Sequence, residues 1–469
     1  MYMHIMECGT EEYTLKNGTR DNRLGTEPII PLLFKLAIPS ILSMFIQSMY
    51  NVVDSIFVAR LGEEALAALS LAFPIQMALI AIAVGTGVGT SSLISRLLGQ
   101  GRPERAASVA SHVLLLALFY GVIAAFVGIF LPERLIGIFT DDPMLIDYGA
   151  RYISIILMGA AAMFIPMIAN NILRGEGNTV IPMITMLIGS ILNIILDPLL
   201  IFGYGFFPEM GIEGAAMATV LSRIISGTFI VIMLLKGSNQ VKVTFRDFEL
   251  DLSIIKGIYQ VGLPAVVMQV LASVMVGGVN TILDGYSSTA IAAMGIYFRL
   301  QSFVFMPVFG LNQGYMPIVG YNFGYNNAGR VKKTMKAGFM MGFAFTVLGF
   351  IIFQVFPEQL IRLFGDSPEL IEIGVKALRT ISLAFPVIGP AIVGGTTFQA
   401  LGKGMPSLIL SFSRQIIILL PLAFLLAKIG GLDLIWYAFP VAEFIAVVWM
   451  AIWLKSTLKT VFRVMERES

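Results

Sequence analysis

Apolar stretches of about 20 residues recur from Ile29 to Leu454, divided by short breaks of Gly, Pro or charge, and each is long enough to cross a hydrocarbon core of roughly 30 Å as a helix. A soluble core accommodates one such stretch but not a continuous series. The stretches are apolar throughout and do not alternate, which rules out barrel strands as the spanning elements. Charged residues make up 13% of the chain, about half the roughly 25% of soluble proteins, and mean hydropathy is +0.85. The expected fold is an all-α polytopic membrane protein of about twelve helices. The breaks place them at 32–59, 66–94, 107–130, 147–170, 179–203, 212–235, 258–282, 290–316, 333–356, 375–399, 406–428 and 433–455.

Lys and Arg set the sidedness. With the N-terminus inside, inside segments hold roughly 21 of the 31 basic residues and outside segments about 7. Both termini are therefore expected in the cytoplasm, and the chain in the cell inner membrane. Residues 1–28 are polar, lack the apolar centre of a signal peptide, and read as a flexible cytoplasmic tail. Residues 236–257 read as a cytoplasmic linker between lobes 29–235 and 258–455, and 456–469 as a C-terminal tail. The net charge of +2 has no basic face, which argues against nucleic acid. The single Cys8 excludes an intrachain disulfide, and His4 and His112 stand far apart, against a histidine metal site.

The chain repeats itself. Pro39 and Pro264 lie 225 positions apart, and the same offset pairs Gly85 with Gly310, Gly99 with Gly324, Arg105 with Arg330 and Gly177 with Gly402. Pro132-Glu133-Arg134-Leu135-Ile136 meets Pro357-Glu358-Gln359-Leu360-Ile361, and Phe139, Asp141 and Pro143 meet Phe364, Asp366 and Pro368. An ungapped offset over five spans marks a duplication. Six spans per unit return the chain to its starting side, so the two units run the same way. A pseudo-two-fold axis along the membrane normal follows, with a substrate path between the lobes and transport as the function class.

Ionisable groups within hydrocarbon are costly and face a cavity or a partner. The first span carries Ser40, Ser43, Gln47, Tyr50, Asn51 and Asp54 at helical spacing, forming one polar stripe. Interhelical hydrogen bonding explains Ser, Gln and Asn equally well, but it does not require an Asp. The fifth span carries Asn193 and Asp197 four apart, followed by Pro198, which removes the donor for the Ile194 carbonyl. If the two carboxyls share a pocket, they form a site for a proton or a small cation. At the repeat offset Asp54 becomes Val279 and Asp197 becomes Leu422, so coupling is expected in the first lobe only. Gln269, Arg299 and Arg414 are cavity candidates in the second lobe, with an ion-pair role equally open for the arginines, and Glu443 has no evident partner. Gly85-Thr86-Gly87-Val88-Gly89 has neither a preceding strand nor a Walker lysine, so it reads as close helix packing and not as a phosphate loop. No nucleotide-binding fold is present in the sequence, which leaves an ion gradient as the driving force.

At these residues the chain resembles the multidrug and toxic compound extrusion (MATE) family. The likeness rests on Pro39, Asn51-Val52-Val53-Asp54-Ser55-Ile56-Phe57-Val58, Leu97-Leu98-Gly99-Gln100-Gly101, Leu173-Arg174-Gly175-Glu176-Gly177-Asn178-Thr179, Asn193 to Ile201, and Gly211 to Thr219. The resemblance implies two six-helix bundles that export cationic or amphiphilic compounds against proton or sodium entry. It assigns the cation site to Asp54, Asn193, Asp197 and Thr219, with sodium at Asp54, Asn193 and Asp197 as the metal option. Gln47 and Tyr50 match positions tied to that site and to substrate, and Asn51, Gln269 and Arg299 complete the substrate candidates. Pro39 is the expected hinge. No cofactor beyond H+ or Na+ is expected, and the partners are small organic substrates and the bilayer, with the chain acting as a monomer. A lipid-linked precursor flippase is the alternative within transport. A membrane prenyl transferase, the distant alternative, would need carboxylate clusters, and Asp141-Asp142 is the one adjacent Asp pair.

Overall fold

Uninterrupted apolar sequence becomes uninterrupted helix. The computed structural model describes residues 23–205, 207–236, 239–246 and 248–468. The first lobe comprises α1 (Ile29–Ala59), α2 (Glu63–Gly99), α3 (Pro103–Phe130), α4 (Pro143–Met158), α5 (Ala161–Gly175), α6 (Val180–Ile201) and α7 (Gly211–Leu235). The second comprises α8 (Leu252–Asp284), α9 (Ser288–Gly324), α10 (Ala328–Val355), α11 (Pro368–Ser382), α12 (Phe385–Ala400), α13 (Gly404–Ile435) and α14 (Ala438–Glu468). Among the described residues, ten helices are long and apolar enough to cross a membrane singly. Two bent pairs, α4–α5 at 48° and α11–α12 at 53°, bring the spans to twelve. The expected spans 147–170 and 375–399 are these pairs, each broken near the middle. Both bends fall within one residue of the same repeated position, between Met158 and Ala161 and between Ser382 and Phe385.

α1 shows how sequence sorts the faces of a span. Ile30, Phe34, Ile38, Leu42, Phe45, Met49, Val52 and Ile56 form an exposed apolar stripe, while Leu32, Leu33, Leu36 and Ala37 are buried. In water such a stripe would drive association; against lipid it is the ordinary solvent-facing surface.

The 225-residue offset is written into the contact between lobes. A Cβ built on Gly85 of α2 would collide with Val266 of α8, and one built on Gly310 of α9 would collide with Ile41 of α1. Gly85 and Gly310 are repeat mates, and so are Ile41 and Val266. In the same way Gly99 lies against the Tyr321 carbonyl and Gly324 against the Arg96 carbonyl, each contact being the other's image. These positions have no room for a side chain because two helix backbones touch there. α1 against α9 and α2 against α8 are thus one interface used twice, the signature of a pseudo-two-fold axis. The glycine-rich run Gly85 to Gly89 serves this approach.

The ends depart from the sequence expectation. Residues 1–22 of the expected tail lie outside the described residues. Arg23–Thr26 is not free but forms a helical turn, with Leu24 fully buried against α9. Arg23 donates to the Gly177 carbonyl, Asn322 Nδ2 donates to the Leu24 carbonyl at 2.9 Å, and Arg330 Nη2 donates to the Glu27 carbonyl at 2.9 Å. One apolar residue in a polar segment leaves no periodicity to detect. The second-lobe start moves from 258 to Leu252, where the Asp251 side chain accepts the Ser253 N–H at 2.7 Å as an N-cap. The linker is pinned to the first lobe: Glu176 Oε2 accepts the N–H groups of Gln240 and Val241 at 3.0 and 3.1 Å, and His112 Nε2 accepts the Asp251 N–H at 2.9 Å. The expected tail from 456 continues α14 to Glu468, because Val461 and Met465 remain buried on its inner face.

Candidate functional site

α6 and α7 pack antiparallel and touch at three levels. Gly214 lies under the Leu200 carbonyl, Asn193 faces Thr219, and Gly189 faces Ser226. The small residues above and below bring the middle level close enough for short polar side chains to meet. There the Asn193 amide satisfies both ends when it donates to Asp197 Oδ2 at 2.9 Å and accepts from Thr219 N at 3.2 Å and Thr219 Oγ1 at 3.3 Å. Asn193, Asp197 and Thr219 are all buried, Asp197 completely. α6 continues through Pro198 to Ile201.

α1 lies along α6 and brings its polar stripe to this level. The Asp54 carboxyl comes within hydrogen-bonding reach of Asp197, and the Tyr50 hydroxyl within reach of Thr219. Contact between two carboxyl groups is favourable only with a proton or cation between them, since like charges there oppose each other. Ser40 and Ser43 do not join, because they donate to the Leu36 and Pro39 carbonyls of their own helix at 3.1 and 2.8 Å. Gln47 is half-buried on the same stripe, while the Asn51 side chain lies outside the described residues. Pro39 sits inside a continuous α1.

Arg223 and Tyr152 lie within electrostatic range of the acids, and Gln76 is bonded to Tyr152. Arg223, one turn beyond Thr219 on α7, directs its charge at Asp54. Tyr152 of α4 flanks Asp54 and Tyr50, and it accepts a hydrogen bond from Gln76 Nε2 of α2 at 3.3 Å. Sequence reading missed them as site members; the available signal was a lone arginine inside a span, four residues after Thr219. Asp54, Asp197, Asn193 and Thr219 offer oxygen donors only, a set suited to a proton or a hard monovalent cation. Among the described residues no group of three or more His, Cys, Asp or Glu is placed to hold a metal ion.

Gln269 and Arg299 are exposed side chains of α8 and α9 in the second lobe. Glu443 does have a partner: Arg414 Nη1 donates to its Oε1 at 2.9 Å.

The MatE family model matches the chain twice, over residues 39–199 and 264–425, with starts again 225 apart. An FAD transporter from Shewanella oneidensis is 28% identical over 420 residues, covering 89% of this chain and 92% of that protein. The multidrug export protein MepA of Staphylococcus aureus is 26% identical over 418 residues, covering 89% and 91%. A MATE multidrug resistance transporter solved in an outward-facing conformation superposes with a TM-score of 0.89 at 28% identity, covering 96% of this chain and all of that one.

Proposed function

Because the chain belongs to the MatE family of membrane transporters, we propose that it is an antiporter that exports small organic cations or amphiphiles in exchange for incoming protons or sodium ions. It sits in the cell inner membrane with both termini in the cytoplasm, and it works as a monomer, since the duplication supplies both lobes in one chain. The observation that carries this reading is the meeting of Asp54 and Asp197 beside Asn193 and Thr219 within the membrane-spanning part of one lobe.

Asp54, Asp197 and Arg223 together bear one net negative charge when all are ionised, so a single monovalent cation neutralises the cluster. Each elementary charge crossing the full field is worth about 2.3 kcal/mol per 100 mV, enough for ion entry to drive uphill export. Neutralisation removes the repulsion between Asp54 and Asp197, lets α1 close on α6 by bending at Pro39, and expels the substrate. In proteoliposomes, Asp54→Asn and Asp197→Asn should each abolish ethidium transport driven by a proton or sodium gradient. Unchanged transport in both variants would remove the coupling proposal. Applying the two gradients separately identifies the ion.

A flavin-type anionic substrate is the second reading, favoured by the likeness to an FAD transporter and by Arg223, Arg299 and Arg414 standing inside spans. Loading the same vesicles with FAD in place of ethidium decides between them.

A further inference from the structure

The second lobe carries an ion pair for which the coupling scheme has no use. Arg414 and Glu443 meet at 2.9 Å between α13 and α14, and their side chains retain 27% and 16% of their surface. α13 and α14 occupy in this lobe the places that α6 and α7 hold in the first. Tyr297, buried on α9, faces the pair.

Three observations separate this pair from a staple between helices. Glu443 Oε2 is buried without any hydrogen-bond donor, so half of the carboxylate's acceptor capacity is unmet. Arg414 lies in a π-helical segment, Ser413–Leu419, a high-energy form of backbone that recurs at functional sites. The repeat positions in the first lobe are Gly189 and Ala218, so neither charge is needed to pack this helix pair. Well-packed apolar residues join helices at least as firmly as a buried ion pair does, and charge inside a membrane bundle is kept where it acts on a ligand.

We infer that Glu443 is a substrate site in the second lobe: its free oxygen accepts an N–H from a protonated amine of the transported molecule, and Arg414 is the resident cation against which that amine competes. The inference rests on the antiport reading and names the chemistry of its substrate, an ammonium group bearing at least one N–H. A quaternary ammonium has no hydrogen to give Oε2 and gains only the charge attraction. The π-helix supplies the movement. Sliding its extra residue along α13 turns Arg414 away from Glu443 and opens the carboxylate without breaking the span.

The test is equilibrium binding to the full-length protein in lipid nanodiscs, with no gradient. The probes are dansylcadaverine (a primary ammonium), its trimethylammonium derivative, and dansylglycine (a carboxylate), read by anisotropy. Wild type should bind dansylcadaverine about tenfold more tightly than the trimethyl probe, the size of one hydrogen bond to a charged group, and Glu443→Gln, which removes the charge, should weaken both. Arg414→Met should tighten dansylcadaverine several-fold, whereas loss of a structural staple would weaken it. Equal dansylcadaverine binding by wild type and Glu443→Gln overturns the inference. So does weaker binding by Arg414→Met, or a loss in Arg414→Met confined to dansylglycine, which would make the site one for anions. Should Glu443→Gln fail to fold, Glu443→Asp keeps the charge but withdraws the oxygen, and it should still lose amine affinity. Because no gradient is applied, a negative result here leaves the Asp54 and Asp197 transport result to judge the antiport reading by itself.

Discussion

The same helix pair occurs twice in this molecule with opposite chemistry. Between α6 and α7 lie Asn193, Asp197 and Thr219, with Asp54 brought in from α1. At the repeated places the second lobe has Ile418, Leu422, Phe444 and Val279. It carries instead Arg414 and Glu443, where the first lobe has glycine and alanine. The backbone scaffold was copied, down to the bends and the glycine contacts, while the polar interior was not. Duplication therefore fixes how the lobes pack against each other, and the few buried polar residues are what set the two lobes apart.

The largest effect comes from trying to erase this difference. Val279→Asp with Leu422→Asp, built into the Asp54→Asn protein, places acids at the repeat positions. Transport should stay at the background level, because Ile418 and Phe444 cannot supply the amide and hydroxyl that receive a carboxylate. Each new acid should also cost about 3 kcal/mol in the membrane, lowering the unfolding midpoint. Restored gradient-driven efflux would mean that the scaffold alone makes a coupling site.

A second contrast lies outside the spans, where Glu176 stands at the repeat position of Leu401. Burial pushes the Glu176 carboxyl up to about 7, against the pull of the Val241 and Gln240 N–H groups and of Arg23. The folded protein thus holds this proton more tightly than the unfolded chain, whose carboxyl titrates near 4.5. Stability from this group is full below that value and is lost as pH rises through 7, a change of about 3 kcal/mol. Thermal unfolding in nanodiscs should show a falling midpoint between pH 5 and pH 8, flattened in Glu176→Gln. An identical slope in the variant would place the titration elsewhere.

The mirrored glycines give a smaller contrast. A Cβ on Gly89 would lie closer to the Ile258 backbone carbonyl than one on Gly314 would to the Leu36 Cβ, at 2.7 Å, and neither atom can turn away, so the larger shift is needed at Gly89. Overpacking costs roughly 1–3 kcal/mol, so Gly89→Ala should fall near the top of that range and Gly314→Ala near the bottom. Equal losses would mean that both interfaces relax alike.

What could be read in advance follows from the range of each interaction. Spans and repeat were legible because lipid demands long apolar runs and duplication preserves spacing. Asp54 and Asp197 were legible as isolated charges in such runs. Arg223, Tyr152 and Gln76 were not, since they sit on three helices other than the two that carry the acids and no spacing along one helix records that. Glu443 appeared unpaired, and the ion-pair role of Arg414 stayed open, for the same reason, since the two stand 29 residues apart. The α4–α5 bend has no proline between its arms, and the docking of Leu24 depends on a surface built some 300 residues later.

The smallest test concerns a polar contact that only the second lobe makes. Tyr315 of α9 and Thr397 of α12 join hydroxyls at 2.7 Å, both fully buried. Their repeat mates are Thr90, which donates to the Thr86 carbonyl of its own helix at 2.7 Å, and Ile172. Thr397 donates to the Val393 carbonyl at 2.9 Å, so the Tyr315 hydroxyl is the donor of the pair. Tyr315→Phe removes that donor but keeps the ring packed against Gly338 and leaves Thr397 bonded to its own helix. The cost should be about 1 kcal/mol in unfolding, with transport unchanged. A loss of transport with stability intact would show that this hydroxyl pair takes part in the lobe's movement, and that the second lobe adds more to the cycle than its neutral interior implies.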